Sequence, residues 1–114
     1  MTRQIEDLAR ISAMLRDRDL GAVERIVSQL TAIQADVARL EEARLARVSE
    51  SAMDVARLTG MDMQWAAEIE RRMTQLRQRE AGLRAQHEVA LTKARKSFGR
   101  ADVTARLTGI KPTV

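Results

Sequence analysis

The sequence predicts an all-α fold, an antiparallel two-helix coiled-coil hairpin, from three observations. The 114-residue chain is rich in Ala, Leu, Glu and Arg, holds one Pro, and counts only Trp65 and Phe98 as aromatics, which is the usage of long helices with a thin apolar seam. Apolar residues step by three and four along two long runs. The tetrapeptide Arg-Leu-Thr-Gly occurs twice, as Arg57-Leu58-Thr59-Gly60 and Arg106-Leu107-Thr108-Gly109, and a Gly in that place takes the left-handed conformation that ends a helix.

Taken in order, the first run starts with Ile5, Leu8, Ser12 and Leu15, then resumes as Ile26, Leu30, Ile33, Val37, Leu40, Arg44 or Leu45, and Val48. The average spacing of 3.5 is that of a coiled coil. The two parts fall out of phase across residues 17 to 21, where Gly21 disfavours helix by about 1 kcal/mol against Ala and two aspartates favour caps. A stutter or kink is expected there, with a full break as the alternative. A single domain over residues 1–114 follows, with a helix over about 3–58, a corner at 59–62, a second helix over about 62–108 and a tail at 109–114.

The corner rests on Gly60, on Asp62 as a cap for the next helix, and on the short connection that antiparallel neighbours use. The second run is Met61, Trp65, Ile69, Met73, Leu76, Leu83, His87, Ala90 or Leu91, Ala94, Phe98, Ala101 and Ala105. Gly109 and Pro112 stop it. Folding at position 60 sets Leu40 opposite about residue 80, Ile26 opposite about 94 and Leu15 opposite about 105. Glu6/Arg10, Glu68/Arg72 and Glu80/Arg84 are expected as solvated pairs four residues apart. A layer of two helices leaves apolar surface wet, so self-association or a partner is expected.

The same residues argue against catalysis. There is one His, no Cys and no Tyr, His87 is expected to pack near the seam, and no glycine-rich phosphate loop is present. No catalytic residue, cofactor site or metal site is therefore assigned. The first residues hold two acids and no apolar stretch, and no run approaches a membrane span, so the chain reads as cytoplasmic, reaching a membrane only through partners.

Net charge is +4, unevenly placed. Residues 1–57 carry 9 Lys/Arg against 10 Asp/Glu, and residues 58–114 carry 11 against 6. The cluster Lys93, Arg95, Lys96, Arg100, Arg106 and Lys111 faces only Asp102 in sequence; it reads first as solvated cations over the last turns of a helix, next as a contact for an acidic protein surface, and last as a nucleic-acid site, which would call for interleaved aromatics. Trp65, with Met61, Met63 and Met73 near it, reads equally as an adaptable contact surface or as a cover for the corner.

The layout of a first helix from near the N-terminus, a tight corner, Trp65-Ala66-Ala67-Glu68-Ile69-Glu70-Arg71-Arg72-Met73, and a basic helix closing with Ala94-Arg95-Lys96-Ser97-Phe98-Gly99-Arg100 resembles the FliJ/YscO group of flagellar and type III export proteins. The resemblance implies a non-enzymatic stalk whose terminal end enters the ring of the export ATPase and whose hairpin side faces the export gate. It would put Ile5, Leu8, Arg95, Lys96 and Arg100 at the ATPase, and Leu40, Val48, Trp65, Ile69, Met73 and Leu76 on the gate side. An export chaperone holding flagellar substrates, a partnership with such chaperones, and a structural or adaptor coiled coil are the rival readings.

Overall fold

A computed structural model describes residues 2–51 and 60–109 of the chain. The protein is an all-α hairpin of two long helices packed against each other. Helix α1 is Thr2–Ser51 and helix α2 is Gly60–Thr108. Contacts divide it into two compact units, Met1–Ser28 with Ala85–Val114 and Gln29–Arg84. In the first, Asp19 bonds Ser97 and Arg16 lies over Phe98; in the second, Arg77 bonds Glu41 and Arg44 bonds Glu70. In each unit the partner number falls as the α1 number rises, which defines the helices as antiparallel.

Helix α1 runs unbroken through residues 17 to 21, which rules out the alternative of a full break. The expected loss of phase is absent too. The buried and half-buried positions of α1 include a stripe at 5, 9, 12, 16, 19, 23 and 26, then at 30, 33, 37, 40, 44 and 47, an uninterrupted alternation of four and three, with residues 13, 15, 21, 22, 36 and 41 half-buried on its flanks. Following apolar residues misplaces part of the seam: Ile5 and Ser12 do turn inward, but so do Arg16 and Asp19, while Leu8 stands 51% exposed. Further on, the seam continues through Arg44 and Arg47 rather than Leu45 and Val48, both exposed. Arginine suits such a place because its methylene stem covers apolar surface while its head reaches outward.

Helix α2 keeps the same alternation at 69, 73, 76, 80, 83, 87, 90, 94, 97, 101, 104 and 108. Ser97 and Thr104 are therefore inward, whereas Phe98 is 42% exposed and Ala105 half-buried. Thr104 satisfies its hydroxyl on its own helix, donating to the Arg100 and Ala101 carbonyls at 2.9 and 3.1 Å.

Gly60 and Asp62 both belong to α2, which begins two residues ahead of the expected 62 and holds Asp62 inside the helix rather than at the cap before it. The rest of the corner, residues 52–59, and most of the tail lie outside the described residues. Pairing shifts accordingly: residue 19 meets 97, about four residues short of the position that a fold centred on Gly60 requires. At the far end the expectation holds. Gly109 has φ 75° and donates its N–H to the Arg106 carbonyl at 3.2 Å, closing α2.

The two units are built differently. Gln29–Arg84 buries Ile33, Ile69 and Met73. The other buries Ser12, Asp19, Ala90, Ala94, Ser97, Ala101 and Thr104, small or polar side chains whose seam gains less from burial, since each missing CH2 forgoes about 0.8 kcal/mol. Gly82 lies inside α2 with open space where a Cβ would stand. Gly82→Ala is expected to stabilise by about 1 kcal/mol and to raise Tm by several degrees in a circular-dichroism melt. An unchanged or lower Tm contradicts an unstrained helix at that position.

Candidate partner-binding grooves

The unit formed by Met1–Ser28 with Ala85–Val114 carries one buried charge. Asp19 is 8% exposed and occupies an inward position where an apolar residue is usual. Its carboxylate accepts hydrogen bonds from the Ser97 hydroxyl and, at 3.1 Å, from Arg18 Nε. A buried carboxylate is tolerable only when so partnered. The Ser97 bond, followed by the Arg18 bond and charge, holds the Asp19 pKa below its ordinary 3.8 against the opposing effect of burial. A polar pair at one seam position penalises other registers, because any slip would bury the carboxylate without its partner.

Beside that pair lies a groove of about 600 Å³ between the helices, with Arg18, Ala22 and Arg25 on one wall and Gln86, Val89 and Lys93 on the other. A second groove in the same unit is lined by Leu8, Ser12, Lys96, Gly99, Arg100, Val103 and Thr104. Three of the five residues expected at an ATPase are thus brought together: Leu8, Lys96 and Arg100. Ile5 is a half-buried seam residue, and Arg95 is exposed but stands about 100° round the helix from Lys96. The basic run in the sequence therefore divides between two faces. Arg106 pairs with Asp102 at 3.0 Å; Lys111 lies outside the described residues.

In Gln29–Arg84 the other six residues divide as well. Ile69 and Met73 are buried in the seam and offer no surface while the helices stay closed. Leu40 and Leu76 are half-buried and line a groove with Asp36, Arg39, Arg72, Gln75 and Arg79. Val48 is 60% exposed. Trp65 is half-buried, with the Arg47 guanidinium 4.7 Å from its ring centre, a cation–π distance. The side chain of Met61 is not described, and Met63 is exposed.

Exposed pairs follow the expected spacing in two cases. Arg72 bonds Glu68 at 3.1 Å and Arg84 meets Glu80 at 3.7 Å. Arg10 instead takes Asp7, three residues away, at 3.1 Å. Arg71 joins Arg72 on Glu68, and their hydrogen bonds pull the Glu68 pKa down to about 2. His87 is half-buried at a seam position. Among the described residues no three of His, Asp and Glu approach closely enough to hold a metal ion, and no helix is long and apolar enough to cross a membrane.

Sequence reasoning missed Arg18, Asp19, Arg25 and Ser97. The signal was present: Arg18 and Arg25, and Lys93 and Arg100, are each seven residues apart, so each pair keeps its place relative to a seven-residue seam.

Two predictions follow from these contacts. Because the folded pKa of Asp19 is depressed, its contribution to stability is fully present above the unfolded carboxylate pKa of about 4 and is lost as pH falls through the folded value. Wild-type Tm is expected to drop on acidification below about pH 4, and the drop is expected to be shallower in Asp19→Asn. Equal slopes would show that Asp19 gains nothing from Ser97 and Arg18. The single Trp reports on the other contact: Arg47→Ala is expected to red-shift Trp65 emission while helix content stays unchanged, and an unshifted spectrum contradicts a guanidinium cover on the ring.

No family model matches the chain, and no curated protein or solved structure matches it.

Proposed function

We propose that the protein is a non-enzymatic cytoplasmic component of a flagellar or type III export apparatus, a stalk that binds the export ATPase ring at its terminal end and the export gate on its hairpin side. The observation that carries this reading is the second groove. Leu8 near the start of α1 and Lys96, Arg100 and Val103 near the end of α2 line one surface, so residues far apart in sequence form a single apolar and basic contact area at the end the family likeness assigns to the ATPase. Exposed cations beside apolar side chains speed encounter with an acidic surface and then hold it by burial. On the gate side the proposal rests on Val48, Leu40, Leu76 and Trp65, with Ile69 and Met73 acting through the seam that positions them. The chain's part is to change another protein's activity by contact.

ATP hydrolysis by the flagellar export ATPase of the same organism is expected to rise when this protein is added at equal concentration. The rise is expected to disappear in Lys96→Glu/Arg100→Glu and to persist largely in Arg95→Glu, which lies off the groove. No stimulation and no complex would sink the stalk reading and favour an export chaperone, detected as a stoichiometric complex with a flagellar substrate.

A further inference from the structure

The groove lined by Arg18, Arg25 and Lys93 is separate from the residues assigned to the ATPase. Its floor and walls are Ala22, Ala85, Val89 and Ala90, with Val89 64% exposed. Among the described residues Arg25 and Lys93 make no ion pair, and the one acid lining the groove, Asp19, bonds Ser97 and Arg18 and also feels the charge of Lys93, so three cations face a single carboxylate. Most other arginines of the hairpin are matched at home, as in Arg10–Asp7, Arg84–Glu80 and Arg106–Asp102. Unmatched cations beside exposed carbon favour an occupant that brings both acids and apolar side chains.

The spacing of the lining residues says what shape that occupant has. Arg18 and Arg25 on α1 stand seven residues apart, and so do Gln86 and Lys93 on α2. A third helix repeats its own faces at nearly the same interval, so apolar residues at its heptad positions meet the Ala and Val floor turn after turn while flanking acids meet the cations. An extended peptide repeats every two residues and falls out of step. Nucleic acid fits less well: the groove holds no aromatic side chain for a base, and Phe98 is instead under Arg16, 5.8 Å from its guanidinium.

We infer that this groove docks an acidic amphipathic helix of a protein partner, which completes a three-helix bundle with the portions of α1 and α2 in this unit. The inference is independent of the stalk reading, because neither Arg25 nor Lys93 belongs to the surface assigned to the ATPase.

The test uses the full chain and a fluorescently labelled synthetic helix of about three heptads, long enough to cover the groove at ~1.5 Å per residue, with Leu at the inward positions and Glu beside them. Anisotropy is expected to show saturable binding that weakens with salt. A peptide of the same composition with scrambled order, and the variant Arg25→Glu/Lys93→Glu, are each expected to weaken it at least about tenfold. Arg25→Ala/Lys93→Ala, a milder change, is expected to weaken it by a smaller factor with the circular-dichroism spectrum intact. Equal binding of ordered and scrambled peptides, or of wild type and both variants, overturns the inference. So does duplex DNA binding more tightly through the same residues, or a concentration-dependent dimer of the free protein that the same variants abolish, since either would assign the groove to another occupant.

Discussion

The uninterrupted alternation of three and four residues along both helices is the constraint on which the rest depends. A helix of 3.6 residues per turn keeps one stripe toward a neighbour only if inward positions recur about every 3.5 residues. In this chain the repeat is kept even where it turns Ser12, Asp19, Ser97 and Thr104 inward. These residues sit in the seam because register is set by the whole of each helix. Once there, they must find partners, and Asp19 does so in Ser97 and Arg18. A seam of Ala, Ser and Thr gives up hydrophobic burial and gains selectivity, since one slip would take the Ser97 bond from a carboxylate that stays buried.

The same repeat sorts the surface. Because Arg18 precedes Asp19 and Arg25 precedes Ile26, both arginines stand at the groove edge; Lys93 and Arg100 stand in the matching place on α2. Arg95, in the middle of the basic run, turns another way. Charge in this protein is therefore organised by helix phase, and a count along the sequence overstates what any single partner meets. Glu41–Arg77, from outside the seam, and Arg44–Glu70, from a seam position whose head reaches outward, join the helices of Gln29–Arg84; being exposed, each contributes little to stability, on the order of 0–1 kcal/mol.

Fold class was legible in the sequence because composition and the run from Ile26 to Leu40 allow little else, and the Gly109 stop was legible because only a left-handed residue fits there. The seam of the terminal unit was not. Tracking hydrophobicity selects Leu8 and Phe98, whereas phase selects Asp19 and Ser97, which steps of seven back from Ile26 and forward from Ile69 reach. Gly60 is the first residue of α2, and the end of α1 lies among residues 52–59, outside the described residues. The candidate grooves were legible only in part, since Leu8, Lys96 and Arg100 were named from the sequence while Arg18 and Arg25 needed the correct phase.

Register is the central claim, and cross-linking tests it most directly in a chain that has no cysteine of its own. Stepping one heptad from the Asp19–Ser97 pair puts Ile26 opposite Ala90, whereas a fold centred on Gly60 puts Ile26 opposite residue 94. A disulfide requires Cβ atoms about 4 Å apart, and four residues along a helix amount to roughly 6 Å. Under mild oxidation Ile26→Cys/Ala90→Cys is expected to cross-link within the chain much faster than Ile26→Cys/Ala94→Cys. Faster closure of the second pair would contradict the register, and with it the placement of Asp19, the grooves and the sorting of charge that follows from them.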